Sequence, residues 1–598
     1  MSEKKSWKEK KHTLKELSKH LDGIKKDIVL TWIFVFFEVL FEIGIAALIS
    51  FLLEAIKGTD QNGNPNLNGI LFWALIIMGM AITAAVFGIL AGYFASSASC
   101  GFGRNLRESM FRKIQDYSFK NIDHFSPASI VTRTTTDVTN VQFSFMNIIR
   151  TVIRAPFMMV FAIVMCFVFA PKLAWIFLIV VPVLLFGLLF IAQKVHPTFE
   201  KIFETYDYLN ESVQEDVDGI RVVKSFGRKK YHVDRFNKVS DDIYRNYVHA
   251  EFLLSFNNPM MNTAVYTCMM LLSVLGAILI TKTNGTELNI ERLSSLFTYV
   301  MMILMSLMMI SMVYVMIIIA RNSAERIVEI IQEEPDIKSP EHPLMKVENG
   351  AVDFDDVSFS YAKGKNVLEH VNLHFKEGET VGIIGPTGSS KTTLISLIAR
   401  LYDASEGQVR IGGHNVKEYD LKTLRDAVSV VLQKNVLFTG TIRDNLRWGK
   451  QDATDEELFA ACDMAQASEF IHSFPEGLDT QIVEGGSNVS GGQKQRLCIA
   501  RALLKDPKVL ILDDSTSACD THTDSLIRNA LKTCKPNVTK FIIAQRVLSI
   551  KDCDTIIVMD NGGKISAIGS NDELMKSCDV YKELYESQLG GGDFDVKE

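Results

Sequence analysis

Six long apolar blocks dominate the first half of this 598-residue chain. They lie near residues 27–56, 69–95, 145–170, 173–193, 254–280 and 294–320. Each block can supply the roughly 20 residues that a helix needs to cross a hydrocarbon core. The chain is too long for one domain, and its second half reads as a soluble α/β domain. We therefore predict six membrane helices followed by a soluble domain.

Charges in the connections predict how these helices are oriented. A lysine-rich segment over residues 1–26 precedes the first block, which is too long for a signal peptide. We expect this segment to be a cytoplasmic arm that includes an amphipathic helix at the membrane surface. The connection "GTDQNGNPNLNG" has no Lys or Arg and should face outward, whereas the basic connections 96–144 and 194–253 should be cytoplasmic. Both chain termini are then cytoplasmic.

Composition narrows the choice of partners and compartment. The 63 basic and 70 acidic residues give a net charge of −7, so the chain has no bulk attraction to nucleic acid. Nine cysteines without a C-x-x-C pair argue against a zinc site or a disulfide framework. They fit a reducing compartment.

A phosphate-binding loop follows a linker that contains three prolines, residues 332–350. The segment "ETVGIIGPTGSSKTTLISLIARLY" predicts a strand, a glycine-containing loop and a helix, which is the required context for a P-loop. Lys391 is expected to reach the β- and γ-phosphates, and the Thr392 hydroxyl to bind Mg²⁺. Ser390 stands where the pattern has its second glycine, and a glycine turn before an ordinary helix is the alternative. The predicted nucleotide-binding residues here are Gly385, Pro386, Thr387, Gly388, Ser389, Ser390, Lys391, Thr392 and Thr393.

A second motif decides between these alternatives. The segment "NVSGGQKQRLCIARALLKDPKVLILDDSTS" resembles the signature and Walker B segments of ABC transporter ATPases. Further positions match the family: Tyr361 its adenine-stacking aromatic, Gln433 its Q-loop, Glu484 a loop glutamate of exporters and Asp520 its D-loop aspartate. Membrane-half segments such as "VQEDVDGIRVVKSFGR" also look like bacterial ABC exporters. The resemblance covers nearly the whole chain.

The resemblance implies a half-transporter that works as a dimer with a second ABC half-transporter and uses ATP and Mg²⁺. The fold class is an α-helical transmembrane domain of six helices extending into the cytoplasm, followed by an α/β P-loop nucleotide-binding domain. The expected boundaries are 1–26 for the arm, 27–331 for the transmembrane domain, 332–350 for the linker and 351–598 for the nucleotide-binding domain. The resemblance implies Mg²⁺ contacts for Thr392, Gln433 and Asp513. It implies that four signature residues contact the partner's ATP: Ser490, Gly491, Gly492 and Gln493.

Three positions depart from the family pattern around one nucleotide. Asp514 replaces the glutamate that polarises the attacking water, Gln545 replaces the switch histidine, and Ser390 replaces a glycine. Asp514, Gln545 and Gln433 are the candidate catalytic residues. An aspartate is shorter than a glutamate by one C–C bond, about 1.5 Å, so the site is expected to bind Mg-ATP and hydrolyse it poorly. This pattern resembles the degenerate subunit of heterodimeric bacterial multidrug exporters, in the cell membrane. The alternative is a homodimer in which Asp514 and Gln545 still form a workable site.

The membrane half says less about the transported molecule. Met301, Met305, Met308, Met312 and Met316 recur on one face of the sixth block. With Phe297, Met260, Met261, Met269 and Met270 they form either a cavity for apolar cations or amphipaths, or side chains that face lipid or fill the packing between helices.

Two carboxylates in the first block, Glu38 and Glu42, either bind a cationic substrate or pair with Arg150 or Arg154. We favour the pairing. Two other functions stay open: an ATP-gated regulatory membrane protein, and a dedicated exporter of peptide, lipid or porphyrin.

Overall fold

The computed structural model describes residues 7–58, 66–361, 366–560 and 562–589. Residues 59–65, within the connection expected to face outward, and the first six residues of the arm lie outside this description. The chain divides into two compact units. The first contains the described residues up to Asp116 together with Ser126–Glu333, and the second contains Tyr117–Phe125 together with the described residues from Glu334 onward.

The regular structure of the described residues as far as Gln332 consists entirely of helices. In chain order they are α1 (Trp7–Ser18), α2 (Lys25–Lys57), α3 (Leu67–Gln115), α4 (Phe119–Phe125), α5 (Pro127–Thr132), α6 (Val138–Phe169), α7 (Pro171–Asp218), α8 (Ile220–Ser225), α9 (Lys229–Ser255), α10 (Asn257–Thr283) and α11 (Ile290–Gln332). A single wide turn of π-helix, Arg133–Asp137, joins α5 to α6. Within the described residues, six helical segments are long and apolar enough to cross a membrane, and this confirms the predicted number of spans.

The core of the first unit lies where α2, α6 and α11 pack together. Val35 and Val39 on α2 are fully buried, as is Tyr299 on α11. The Tyr299 hydroxyl donates a hydrogen bond to the carbonyl oxygen of Ile43 at 3.3 Å. This bond satisfies a polar group that would be costly to leave unpaired in an apolar interior.

Strands and shorter helices alternate in the second unit. The strands are β1 (Val352–Phe359), β2 (Leu368–Phe375), β3 (Thr380–Ile384), β4 (Glu406–Ile411), β5 (His414–Asn415), β6 (Val428–Val431), β7 (Gly440–Thr441), β8 (Gln481–Ile482), β9 (Val509–Asp513), β10 (Thr539–Ile543), β11 (Thr555–Met559) and β12 (Ile565–Gly569). The helices are α12 (Lys391–Ile398), α13 (Leu421–Ala427), α14 (Ile442–Arg447), α15 (Asp455–Met464), α16 (Ser468–Ser473), α17 (Gly491–Leu504), α18 (Thr521–Cys534), α19 (Asn571–Ser577) and α20 (Asp579–Leu589).

Three sheets form from these strands. The largest has the order β12-β11-β3-β10-β9-β6, and its strands are parallel except for β12. A second, antiparallel sheet has the order β2-β1-β4-β5, and β7 pairs with β8.

Both faces of the parallel sheet are buried, which explains why β9 is apolar without alternation. Leu510 and Leu512 belong to one apolar cluster, which also includes Leu497 of α17. Val509 and Ile511 belong to another, with residues of α12 and of the antiparallel sheet. The apolar run at 509–512 thus forms the buried strand that the sequence predicted.

Candidate functional site

The nucleotide-site residues lie at the carboxyl ends of four neighbouring parallel strands. These strands are β3, β10, β9 and β6, adjacent in that order. The P-loop follows β3, Gln545 follows β10, Asp513 ends β9, and Gln433 follows β6. In open α/β sheets, ligands bind beyond the carboxyl ends of the strands. Segments that are far apart in sequence therefore meet at one edge of the sheet.

The P-loop curls around the ammonium group of Lys391. Its Nζ donates hydrogen bonds to the carbonyl oxygens of Gly385 at 2.9 Å and Pro386 at 2.8 Å. A Cβ at Gly385 would lie 2.3 Å from the carbonyl oxygen of Met559, so only glycine fits there. Burial lowers the pKa of Lys391, and the nearby Asp513 and Asp514 oppose this effect. The lysine and the first turn of α12 suit a phosphate group.

Ser390, the residue in place of the usual glycine, adopts a left-handed backbone conformation. Its φ is 68°, and Gly388 beside it has φ 85°. The left-handed region is open to glycine but costs other L-residues about 1–2 kcal/mol. The loop therefore keeps the backbone path that a glycine would allow, and Ser390 adopts it under strain.

Oxygen ligands for Mg²⁺ are in place beside the loop. The Thr392 hydroxyl donates to Asp513 Oδ2 at 2.9 Å. Burial raises the pKa of Asp513, and the hydrogen bond from Thr392 opposes the rise. A hydroxyl and a carboxylate are hard oxygen donors of the kind that Mg²⁺ prefers, so these residues fit the ion together with nucleotide phosphates. When bound, Mg²⁺ supplies charge neutralisation at the phosphates.

The three candidate catalytic residues come together around the Asp514 carboxylate. Gln545 Nε2 donates to Asp514 Oδ2 at 2.8 Å, and the Gln433 side chain lies near enough to lower the pKa of Asp514. Asp514 has φ 48° and is only 9% exposed. Burial raises the pKa of its carboxyl, and the Gln433 and Gln545 side chains oppose the rise. The carboxylate thus accepts a hydrogen bond from one neutral amide and lies near a second at the end of β9.

The predicted adenine-stacking residue, Tyr361, has an exposed ring that is positioned by contacts with neighbouring side chains. Its hydroxyl forms a 2.9 Å hydrogen bond with Thr393 Oγ1, and 46% of the residue is exposed. Phe359 and Tyr402 contact the ring edge-on, with centroids 4.9 and 5.1 Å away. Sequence reasoning missed Tyr402, whose hydroxyl donates to Asp123 Oδ2 of α4 at 2.7 Å. The only signal was an aromatic residue just after the P-loop helix.

The signature residues form the exposed start of α17. Ser490 Oγ accepts a hydrogen bond from the Gln493 backbone N–H at 3.2 Å, and Gln493 Oε1 accepts from the Ser490 N–H at 2.9 Å. This capping box fixes the first turn and leaves the Ser490 hydroxyl proton free to donate. A Cβ on Gly492 would lie 2.9 Å from the carbonyl oxygen of Ala518, so the glycine permits close packing.

Within the described part of the chain, the signature contacts the D-loop segment and not the P-loop. Gln495 Oε1 accepts a hydrogen bond from the Ala518 N–H at 3.0 Å. Asp520, the predicted D-loop aspartate, caps α18 through the Thr523 N–H at 2.9 Å. Glu484 is exposed and begins a short turn, Glu484–Gly486. One chain thus brings together the P-loop, Asp513, Asp514, Gln433 and Gln545 but not the signature.

In the membrane half, the two carboxylates of α2 are paired with arginines, as favoured from the sequence. Arg154 contacts Glu38 through Nη1 and Glu42 Oε1 through Nη2, the latter at 2.8 Å. Arg150 Nη2 lies 3.5 Å from Glu38 Oε1. Glu38 is buried at 5% exposure. This network accounts for both carboxylates without a substrate.

The predicted methionine cavity is only partly right. A cavity of about 440 Å³ is lined by Met309, Met312 and Met316 of α11 and by residues of α6. Met309 was not on the predicted face. The residues lining this cavity do not include the α10 methionines, because Met261 is buried in the core at 4% exposure, and Met270 is 68% exposed elsewhere. Helical period alone could not tell which neighbouring helix would cover each methionine.

Together, the six apolar helices and the P-loop site define an ATP-driven membrane transporter. The ABC transporter transmembrane region matches residues 27–323, and the ABC transporter ATPase family matches residues 368–517. The chain belongs to the ABC transporter family, as an exporter half-transporter with fused membrane and ATP-binding domains.

Similar proteins agree with this assignment. The uncharacterized ABC transporter ATP-binding protein YfiB of Bacillus subtilis is 32% identical over 526 residues, covering 88% of this chain and 91% of YfiB. The probable multidrug resistance ABC transporter ATP-binding/permease protein YheI of the same organism is 32% identical, covering 87% and 88%. The structure of a bacterial Atm1-family ABC exporter with ATP bound has a TM-score of 0.80 at 23% identity, covering 96% of this chain and all of that one. At 23% identity, the similarity to the Atm1-family exporter shows a shared fold and nothing more.

Proposed function

We propose that this chain is the subunit with the degenerate site in a heterodimeric ABC exporter. It binds Mg-ATP at its own P-loop and hydrolyses it poorly, while its signature residues complete the competent site of a partner half-transporter. The observation that carries this proposal is the Asp514 carboxylate at the end of β9, which accepts a hydrogen bond from Gln545 Nε2 at 2.8 Å.

The first argument is the distance that the Asp514 side chain can reach toward the attacking water. A general base must come within roughly 2.6–3.2 Å of the proton that it removes. Asp514 is shorter than the family's glutamate by one C–C bond, about 1.5 Å. Its Oδ2 is occupied by the Gln545 amide at 2.8 Å, so the carboxylate is both short and engaged. Misplacement by about 1 Å can cost 10²-fold in rate.

The second argument is the charge of the residue at position 545. Gln545 replaces a histidine that could carry a positive charge toward the γ-phosphate. An amide donates hydrogen bonds but stays neutral. The site around Asp514 therefore lacks both a well-placed base and a titratable switch residue. Lys391, Thr392 and Asp513, which are the residues expected to bind nucleotide and Mg²⁺, are present.

An intact signature in a chain with a poor site is the third argument. Ser490 and Gln493 form a complete capping box. Gly491 has room at its surface, since a Cβ added there would lie 3.5 Å from Ala518 Cβ, an ordinary van der Waals contact. A signature serves the nucleotide of the opposite subunit in this family. Its preservation makes sense if the opposite subunit supplies the competent base.

For the transported molecule we propose a small amphipathic compound, moved outward across a bacterial plasma membrane with both termini in the cytoplasm. Support comes from the methionine-lined cavity and from the likeness to YheI, which is described as a probable multidrug resistance transporter. Flexible, polarizable methionines suit variable apolar ligands. The domain boundaries at 26, 331 and 350 stay part of this proposal.

The test compares two variants in the reconstituted complex of this chain with its partner half-transporter. Gly491→Asp brings negative charge against the partner's γ-phosphate and should lower ATP turnover by about 10²-fold or more. Asp514→Asn should change turnover less than about threefold, because Asp514 is not the working base. Asn529→Asp is the control for the added negative charge, since Asn529 is exposed on α18 and a helical position takes aspartate without left-handed strain.

Trapped-nucleotide counting shows where the loss occurs. Gly491→Asp should leave nucleotide bound at this chain's own P-loop. Normal turnover in Gly491→Asp together with a large loss in Asp514→Asn would place the catalytic base in this chain and would refute the proposal.

A further inference from the structure

The cavity beside α11 has a charged wall as well as an apolar one. Arg150 and Arg154 of α6 line it opposite Met309, Met312 and Met316. Its volume, about 440 Å³, lies in the range of pockets that bind small ligands. All of these residues belong to the first compact unit. The cavity is therefore formed within one chain and has two chemically different sides.

The charge exposed to this cavity is positive. Glu38 and Glu42, the carboxylates nearest to the arginines, are not among the described residues that line it. Arg154 contacts both carboxylates and its side chain is 19% exposed. Arg150 meets only Glu38 at 3.5 Å among its described ion pairs, and its side chain is 39% exposed. Arg150 thus has donors left for a further anion.

The opposite wall is suited to an apolar body. Met309, Met312 and Met316 follow at intervals of three and four residues and so share one helical face. Met312 is 61% exposed, while Val313 beside it is buried. Thioether side chains adapt to the shape of the molecule that they contact. A ligand that fills the cavity would meet methionine on one side and a guanidinium on the other.

We propose that this cavity binds anionic amphipaths, with Arg150 pairing with the anionic group and the α11 methionines packing against the apolar body. The inference rests on the proposed export of amphipathic molecules and narrows their charge. A guanidinium forms strong, often bidentate bonds to carboxylate, sulfonate or phosphate groups. A cationic ligand would face two arginines at short range, and like charges repel. The two carboxylates that could attract it are balanced in charge by the two arginines, and neither carboxylate is among the described residues that line the cavity.

The experiment measures binding without nucleotide to the full-length protein in phosphatidylcholine nanodiscs. The probes are dansyl-labelled undecanoic acid, its primary amide and the corresponding amine, which share one apolar body. We expect the acid to bind at least about tenfold more tightly than the amide or the amine. Equal binding of the three probes to the unaltered protein would overturn the proposal, with no variant needed.

Variants then assign the discrimination to its residues. Arg150→Gln should remove the preference for the acid, and Arg150→Lys should keep most of it because the charge remains. Met312→Ala should weaken the acid and the amide alike. Arg112→Gln is the matched control, because Arg112 pairs with Glu108 on the surface of α3, away from the cavity. A preference for the acid that survives in Arg150→Gln would refute the role of Arg150.

A lipid and a soluble amphipath could supply the same anionic chemistry, and one further arm separates them. Phosphatidylglycerol replaces part of the phosphatidylcholine in the nanodiscs. Displacement of the acid by this lipid, lost in Arg150→Gln, identifies an anionic lipid as an occupant; undiminished binding identifies the soluble amphipath. Because these measurements need no hydrolysis, their failure leaves the comparison of Gly491→Asp with Asp514→Asn to be judged separately.

Discussion

Restoring the missing carbon at position 514 should restore hydrolysis. The change is Asp514→Glu together with Gln545→His, made in the full-length chain. The first substitution lengthens the side chain by about 1.5 Å, and the second removes the amide that now bonds to Asp514 Oδ2 at 2.8 Å. Everything else that the site needs, including Lys391 and the Thr392–Asp513 pair, is unchanged.

The size of the effect follows from what a placed base contributes. General-base catalysis is worth about 10²–10⁴ in rate, or roughly 2.7–5.4 kcal/mol of barrier. Position 514 has φ 48°, where aspartate is better tolerated than glutamate, so the change costs up to about 1–2 kcal/mol of folding stability. That cost lowers the unfolding temperature and does not raise the barrier. We therefore expect a gain in turnover of at least about 10²-fold.

The assay is ATP turnover at saturating Mg-ATP by the chain alone, reconstituted in liposomes after light scattering has confirmed a dimer. In such a dimer each signature is intact, and each site departs from the family pattern at position 514, at position 545 and at Ser390, which keeps the backbone path of a glycine. Four proteins are compared: the unaltered chain, Asp514→Asn, the double variant and the double variant with Lys391→Ala. The last one measures contaminating ATPase.

Two results decide the matter. Low turnover in the unaltered chain, little change in Asp514→Asn and a large gain in the double variant support the reasoning. High turnover in the unaltered chain that Asp514→Asn abolishes would show that Asp514 already acts as the base, and the argument from reach would be wrong.

Two further predictions concern stability. Ser390→Gly should relieve left-handed strain and raise the stability of the ATP-binding domain by about 1 kcal/mol without weakening Mg-ATP binding. The control Ser487→Gly, at a position with φ −69°, should not raise the stability. Equal shifts of the unfolding temperature in the two variants would refute the strain argument. Arg154→Gln should destabilise the membrane half by about 3–5 kcal/mol, because it leaves Glu38 buried without its closest partner. Adding Glu38→Gln should recover part of this lost stability, measured by thermal unfolding. No recovery would contradict the pairing.

Much of the fold could be predicted because its signals are local. An apolar block of about 20 residues predicts a span wherever its neighbours lie, and the six spans are confirmed. The strand at 509–512 likewise followed from a continuous apolar run. How far a helix such as α3 continues beyond its apolar block, to Gln115, is not a local property. Here only the resemblance to exporters indicated the extension.

Contacts within the site were harder to foresee. The sequence identified Asp514, Gln545 and Gln433 separately, but it contained no sign that the Gln545 amide would bond to the Asp514 carboxylate with Gln433 nearby. That meeting depends on β10, β9 and β6 being neighbours in the sheet, which is a property of the topology. Tyr402 was missed as a site residue for the same reason, since it acquires its role from a side chain on a distant segment. Arg150 was predicted as a partner of the α2 carboxylates but not as a residue that lines a cavity.

The two cores that enclose the parallel sheet have a consequence for how such proteins diverge. Leu510 and Leu512 face one core, Val509 and Ile511 face the other, and the strand's packing is complete before the chain reaches Asp514. A mutation at 514 therefore alters chemistry while the folded domain stays intact. After duplication of an ancestral gene, one copy can lose its base and switch histidine and still fold, bind nucleotide and present its signature. In the heterodimer that we propose, the chain with poor hydrolysis would be retained for the signature that it contributes to its partner.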